Sequence, residues 1–246
     1  MYHEGFEKLL DIVESSPADG DDFSHAVYGI HNLAGHLGVV APELTLEPKD
    51  EGKCYFEDAL NGLGDEDRVV LVLDDETEVV ANRAKVTEAS EVFGVMLSGG
   101  FAEAEQTRVR IRQTGRQALE LLLHYLYGCR WCPSFAGLPA ETLLELASMT
   151  DKYILPEFNR TVSHEIVQRC LRVDQAAAVY ERALQGQFPV HGLEDNLAVC
   201  AVNYILVGQM DHATRTGVVA KILASKMKSD FADDIAKTIR KKLLEM

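Results

Sequence analysis

Basic side chains are scarce in this chain of 246 residues, which has 24 lysines and arginines against 39 aspartates and glutamates. The acidic excess is concentrated near the start. Residues 1–67 hold 16 acidic and 3 basic side chains, a net of −13, which leaves −2 of the total of −15 for residues 68–246. An acidic segment of this kind repels phosphate backbones. The cations in residues 221–246 are those that a helix C-terminus favours, so we expect no nucleic-acid partner.

Long apolar runs and regularly spaced cysteines are also missing. No apolar run approaches the roughly 20 residues that cross a bilayer, and the first residues, Met1 to Gly5, are too polar and acidic for a secretory signal. The five cysteines are odd in number and irregularly spaced, which suits a reduced compartment better than a disulfide framework. We therefore expect no membrane partner and a cytoplasmic or nuclear location.

Signatures of catalysis and metal binding are sparse. Cys129-Arg130-Trp131-Cys132 is a single CxxC pair, whereas structural zinc needs four ligands that usually come from two such pairs. His124 would supply only a third ligand. No Ser-His-Asp or Cys-His grouping comes with a flanking signature. The sequence predicts neither an enzyme nor a metal or cofactor; the alternative is a metal-dependent enzyme that uses His124, Cys129 and Cys132.

Helical periodicity dominates both ends of the chain. Apolar residues recur at helical spacing in residues 6–13 and 23–37, which predicts a helix pair over residues 1–40. Residues 41–54 are rich in proline and charge and predict a linker. Asp174 and Asp211 stand where N-caps are expected. The helices that we predict beyond residue 138 span 139–150, 155–171, 174–185, 192–207, 213–226 and 229–244.

Residues between these ends mix the periodicities of strands and helices. A short helix is predicted at 55–63, and the β-branched run 69–73 returns through 77–81 as a hairpin, with its first strand buried on both faces. The elements predicted next are helices at 83–89 and 90–97, a half-exposed strand at 108–112 and a deeply buried helix at 117–127. We therefore predict an α+β fold that is mostly helical, with a small sheet flanked by helices.

Four segments in this order resemble the BTB/POZ family. Glu78–Val86 is similar to the family's apolar-x-Ala-His-Lys/Arg segment, with Asn82 in place of the usual His. Ser90–Phe101 resembles its Ser-x-x-Phe-x-x-Met/Leu helix and glycine turn. Ala118–Tyr127 resembles its Leu-rich helix that ends in Tyr, and the run Asp151–Leu155 its later Ala-Asp-Lys-Tyr segment. The resemblance implies a BTB/POZ domain over residues 55–173.

The regions on either side of that domain resemble known companions of it. Residues 174–246 look like the helical extension called BACK. His25–Gly35 resembles the last helix of an armadillo repeat, which often reads Ala-x-x-Ala-Leu-x-Asn-Leu-Ala. On that interpretation residues 1–40 are the end of an armadillo array and the chain is a piece of a longer protein. The alternative is a helix pair that belongs to the BTB domain itself.

The resemblance also implies a homodimer. Family members commonly pair through the helix before the first strand, which here is the helix at 55–63. Its Phe56, Ala59, Leu60 and Leu63 share one helix face. Packing within the same subunit is the alternative for this face. Arg83 fits the basic residue of the family's dimer contact.

A second partner implied by the resemblance is cullin-3. Many BTB proteins bind it and deliver a protein substrate to a ubiquitin ligase, and those that do often carry hydrophobic-x-Glu after the glycine turn. That motif corresponds to Phe101-Ala102-Glu103. Tyr153 is expected at the edge of the same surface. An exposed aromatic can fill an apolar pocket on a partner while the carboxylate orients it.

These implications favour a substrate adaptor of a cullin-3 ubiquitin ligase, although the sequence does not identify the substrate. The alternative is a structural BTB oligomerisation domain of a transcriptional or scaffold protein. No zinc-finger Cys/His pairs are present in the sequence, which counts against a transcriptional regulator.

Overall fold

A computed structural model describes residues 2–42, 53–98, 106–129, 135–186, 188–190 and 196–245. The chain divides into two compact units. We call Leu46–Glu165 the central unit, and Met1–Thr45 together with Ile166–Met246 the terminal unit. The mostly helical α+β fold predicted from the sequence is confirmed.

The central unit is built around a three-stranded sheet. Strands β1 (Arg68–Val72) and β2 (Glu78–Asn82) pair antiparallel as the predicted hairpin, and β3 (Arg108–Arg110) pairs parallel with β1. The strand order is β2-β1-β3. The central strand buries Val69 and Leu71 on one face and Val72 on the other, because successive side chains of a strand point to opposite faces. The predicted burial of this strand on both faces is confirmed.

Helices surround the sheet of the central unit. They are α3 (Phe56–Leu60), α4 (Arg83–Ala89), α5 (Glu91–Ser98), α6 (Arg116–Leu126) and α7 (Ala140–Lys152). The boundary between the units falls within α8 (Pro156–Cys170). Helix α6 is deeply buried, as predicted, because Leu119, Leu122 and Leu123 are fully shielded from solvent. Helix α3 is shorter than predicted, since Asn61 is extended and Gly62 takes a positive φ of 72°.

The terminal unit is entirely helical apart from an isolated bridge between Pro189 and Asn196, so far as its described residues go. Its other helices are α1 (Tyr2–Ser15), α2 (Asp21–His36), α9 (Ala176–Ala183), α10 (Leu197–Val207), α11 (His212–Leu223) and α12 (Lys228–Leu244). Helix α1 packs on α2 and α12, and α2 packs on α10 and α11. The packing partner of the N-terminal helix pair is therefore the C-terminal helical region.

Polar contacts reinforce this packing. The Arg240 guanidinium pairs with the Glu7 carboxylate at 2.9 Å, and Nδ1 of His31 lies 2.6 Å from the carbonyl oxygen of Leu206. The predicted N-cap at Asp211 is confirmed, since its Oδ1 accepts a hydrogen bond from the Thr214 N–H at 2.7 Å. The N-cap predicted at Asp174 is wrong, because α9 begins at Ala176.

None of the helices in the described part of the chain combines the length and the apolarity that a bilayer span requires.

Candidate interaction surface

The helix predicted to form the dimer uses part of its apolar face within its own subunit. The Phe56 ring stacks on His124, with ring centroids 4.3 Å apart and an interplanar angle of 21°. Ala59 is buried, whereas Leu60 and Leu63 remain partly exposed. Two of the four predicted residues thus pack internally. The predicted dimer residues that remain partly exposed to a partner are Leu60, at the end of α3, and Leu63, in the turn after it.

Arg83, predicted at the dimer interface, has backbone partners in its own chain. Its guanidinium donates to the carbonyl oxygen of Leu97 at 3.1 Å and to that of Gln106. These two carbonyls lie on either side of residues 99–105, which fall outside the described residues. Phe101 and Glu103 of the predicted cullin contact belong to that segment. Arg83 therefore connects two described residues, Leu97 and Gln106, that flank this segment in the sequence.

Tyr153 lies in the core, which corrects the surface position predicted for it. Its side chain is 2% exposed, and its ring stacks on Phe93 with centroids 4.4 Å apart. Burial raises the pKa of Tyr153 to about 12. Its carbonyl oxygen accepts a hydrogen bond from the Ser90 hydroxyl at 3.1 Å. A side chain this well covered cannot contact a partner without unpacking the core, so its role is to hold α5 against the end of α7.

Two neighbours of these core contacts are exposed apolar residues. Val95 on α5 is 50% exposed, and Ile154, directly after Tyr153, is 61% exposed. Ile154 also has a positive φ of 53°, a conformation that is unusual for a β-branched residue. Backbone strain of this kind is often found at functional sites. Val95 and Ile154 are two exposed apolar residues of the central unit that the sequence did not predict, because no local pattern distinguishes them from core positions.

Asn82, which stands where the family usually has His, connects four elements. Its N–H donates to the Tyr127 hydroxyl at 2.9 Å, and its side-chain amide donates to the carbonyl oxygen of Ala59 at 2.9 Å. Its Oδ1 accepts a hydrogen bond from the Lys85 N–H at 3.0 Å and so caps α4. These bonds join β2, α3, α4 and the end of α6. Asn82 thereby fixes the position of the proposed dimer helix.

The structure brings together two of the three residues that the sequence offered as metal ligands, His124 and Cys129. The side chain of Cys54 lies close to both of them. Cys132 falls outside the described residues. Cys54 was missed because it stands 70 residues before His124, so no motif spacing connects the two.

Two comparisons with known proteins agree with this architecture. The family model described as BTB/POZ domain matches residues 65–169. Over 137 residues the chain is 30% identical to mouse (Mus musculus) armadillo repeat-containing protein 5, and this match covers 52% of the chain and 15% of the mouse protein. The resemblance noted from the four sequence segments is confirmed for residues 65–169, which match the BTB/POZ domain, a family of protein-interaction domains.

Proposed function

We propose that this chain is a homodimeric substrate adaptor that binds cullin-3 through its BTB/POZ domain. The observation that carries the proposal is the position of Arg83, whose guanidinium binds the carbonyls of Leu97 and Gln106. Hydrogen bonds from a charged donor typically contribute about 1.5–3 kcal/mol each. They hold together Leu97 and Gln106, the described residues that flank the hydrophobic-x-Glu motif in the sequence.

Two exposed apolar residues of the central unit support the proposed contact surface. The Phe93–Tyr153 stack and the Ser90–Tyr153 hydrogen bond hold α5 and the end of α7 together. Val95 lies on α5 and Ile154 follows the C-terminal end of α7, and both are exposed. We infer a contact surface in which Phe101 is the apolar anchor, Glu103 is the polar orienter, and Val95 and Ile154 extend the apolar area. Interfaces of this type concentrate their binding energy in a few such anchors.

Calorimetric titration with the N-terminal domain of cullin-3 tests the adaptor function. Truncation of a buried aromatic anchor typically costs about 2 kcal/mol, roughly a thirty-fold loss of affinity. Phe101→Ala should show that loss, and Ile154→Asp should also weaken binding because it places a charge in an apolar contact. Tyr28→Ala is the matched control, since it removes an aromatic that is 51% exposed in the terminal unit; its affinity should equal that of the wild type.

Two outcomes would count against the proposal at different levels. If the wild-type chain does not bind the cullin domain, the adaptor function is wrong. If Phe101→Ala and Ile154→Asp bind as tightly as the wild type, the function stands but the surface is elsewhere. A dimeric wild type without cullin binding would favour the alternative, a structural oligomerisation domain. Leu60 and Leu63, which are partly exposed, would form the dimer contact in an adaptor and in an oligomerisation domain alike.

The dimer is tested separately by light scattering. Leu60→Glu should convert the dimer to a monomer, because it places an unpaired charge in the interface. Val80→Glu is the matched control: Val80 is 42% exposed on β2, so the same charge there should leave the dimer intact. A wild-type chain that is monomeric at micromolar concentration contradicts the dimer.

A further inference from the structure

Three side chains with soft or borderline ligand atoms meet in the central unit. The Sγ atoms of Cys54 and Cys129 and a ring nitrogen of His124 all lie within 4.8 Å of one another. Cys54 is exposed, His124 is half-buried and Cys129 is buried, so the cluster extends from the surface into the unit. Thiolate and imidazole ligands together favour zinc over the hard cations magnesium and calcium, which prefer oxygen.

The separations are close to those that a tetrahedral zinc ion would impose. With Zn–S bonds of about 2.3 Å and Zn–N bonds of about 2.0–2.1 Å, tetrahedral angles place sulfur and nitrogen about 3.6 Å apart and two sulfurs about 3.8 Å apart. The Cys54 Sγ lies 3.7 Å from Nδ1 of His124. No pair exceeds 4.8 Å, so closing the cluster around an ion needs shifts of about an ångström, within reach of side-chain rotation.

The end of α6 brings His124 and Cys129 together. Gly128 has a positive φ of 89°, the Cys129 N–H donates to the His124 carbonyl at 3.0 Å, and the Gly128 N–H donates to the Tyr125 carbonyl at 2.9 Å. These two bonds form a Schellman motif, which ends a helix and reverses the chain over its last turn. Cys129 is thereby held beside His124 by backbone geometry, before any ion binds.

The start of α3 and the residues just before it supply both the third ligand and the outer contacts. The Tyr55 N–H donates a hydrogen bond to the Cys129 Sγ at 3.2 Å, which holds that sulfur in position. Phe56 stacks on the imidazole of His124 and restricts its rotation. Outer contacts of this kind orient the ligands of metal sites. Cys54, directly before Tyr55, then faces the same imidazole.

We propose that Cys54, His124 and Cys129 form a zinc site, with the fourth tetrahedral position left to a further ligand such as water. Solvent reaches the cluster through exposed Cys54, so a water ligand is accessible. A bound ion would tie the segment before α3 to the end of α6. It would therefore fix α3, whose Leu60 belongs to the proposed dimer surface together with Leu63 just after the helix. The zinc site itself does not depend on the adaptor function.

Metal analysis of the full chain, purified under reducing conditions without a histidine tag, tests the proposal. The wild type should contain one zinc per chain, and reloading with Co²⁺ should give the visible absorption of tetrahedral thiolate coordination. Loss of an outer contact alone lowers metal affinity about 10–100-fold, so Cys54→Ser, His124→Ala and Cys129→Ser should each weaken Co²⁺ binding by more than roughly 100-fold. Cys170→Ser and Cys200→Ser, at buried cysteines of the terminal unit, should bind Co²⁺ as the wild type does.

Cys54→Ser is the decisive variant because the residue is exposed, so its replacement leaves the core intact; circular dichroism checks this. A wild type that neither contains zinc nor binds Co²⁺ overturns the proposal, as does metal binding that survives all three ligand variants. A disulfide between Cys54 and Cys129, detected by mass spectrometry of the protein purified under these conditions, also overturns it. Cullin titration is independent of these readouts, so the zinc site and the adaptor function fail separately.

Discussion

At the scale of single residues, Asn82 connects several elements of the central unit through hydrogen bonds. Its three hydrogen bonds reach the Ala59 carbonyl, the Lys85 N–H and the Tyr127 hydroxyl. The bond to Lys85 caps a helix and the bond to Ala59 holds α3. The side-chain oxygen thus caps the N-terminus of α4, and the side-chain nitrogen donates a hydrogen bond that holds α3 in place. The two roles can be separated by substitution, because aspartate keeps the oxygen and loses the donor.

Asn82→Ala should lower the free energy of unfolding by about 2 kcal/mol, since loss of an N-cap alone costs about 0.5–2 kcal/mol and the Ala59 carbonyl also loses its donor. Asn82→Asp should retain the cap on α4 and lose only the bond to α3. Urea denaturation of the three proteins measures both effects. Equal losses for Ala and Asp would mean that the cap does not contribute.

Residue-level predictions from sequence succeeded or failed according to how local their cause is. The N-cap at Asp211 follows from residues within one turn and was predicted correctly. The burial of Tyr153 depends on stacking with Phe93, 60 residues earlier in the chain, and was not predictable from a surface-like Asp-Lys-Tyr run. The approach of Cys54 to His124 is likewise set by tertiary packing.

At the scale of elements, the end of α6 combines helix termination with the placement of Cys129. Gly128 adopts a φ of 89°, and a Cβ added to it would meet no atom within 4 Å. The cost of a side chain at this position would thus come from the backbone and not from a clash. A substitution at Gly128 therefore measures the energetic cost of a positive φ without a steric clash.

Gly128→Ala should lower the free energy of unfolding by about 1 kcal/mol, because alanine disfavours the left-handed region. Gly217→Ala is the matched control, since Gly217 lies within α11, carries no positive φ and also has open space around its Cβ position. There alanine should stabilise the protein by about 0.5–1 kcal/mol. Thermal unfolding measures both shifts, and effects of the same sign would contradict this explanation of the α6 terminus.

The elements themselves were largely predictable where local chemistry sets their limits. Helix α4 spans Arg83–Ala89 as predicted, because Asn82 caps its start and Ser90 is extended. The β1–β2 hairpin follows from two β-branched runs around an acidic turn. Helix α3 was predicted too long, since its apolar spacing continues to Leu63 although the backbone leaves the helix at Asn61. Periodicity indicates which face is apolar, but not where the hydrogen bonds stop.

At the scale of the whole molecule, the uneven charge of the sequence has a partial structural explanation. The N-terminal helices contribute Glu7 and a Glu14 carbonyl to the cations Arg240 and Lys228 of α12. Further along α12, Lys237 pairs with Asp234 and Lys242 with Glu245. Four basic residues near the C-terminus, Lys228, Lys237, Arg240 and Lys242, therefore have partners within the terminal unit. The sequence indicated the imbalance, but it could not indicate that the acidic and basic ends belong to one unit.

In the terminal unit, helices from both ends of the chain pack around one small cavity. Ile30 of α2 is 2% exposed and lines one small cavity together with Leu206 of α10, Val219 of α11 and Ile235 of α12. Ile30→Ala should lower stability by about 2–5 kcal/mol through lost burial and an enlarged cavity. Because α2 packs directly on α10 and α11, amide hydrogen exchange should accelerate in those C-terminal helices, and not only in α1 and α2.

Phe93→Ala provides the matched comparison, since it removes a fully buried side chain from the central unit. Its effect on exchange should centre on α5 and the Tyr153 region, where the stacking partner is lost. If Ile30→Ala accelerates exchange in α1 and α2 while α10 and α11 keep wild-type protection, the N-terminal helices are an appendage and the terminal unit is not one cooperative structure. Faster exchange in α1, α2, α10 and α11 together would mean that these helices form one cooperative structure. Removal of residues 1–40 would then expose the apolar face of the C-terminal helices and destabilise them.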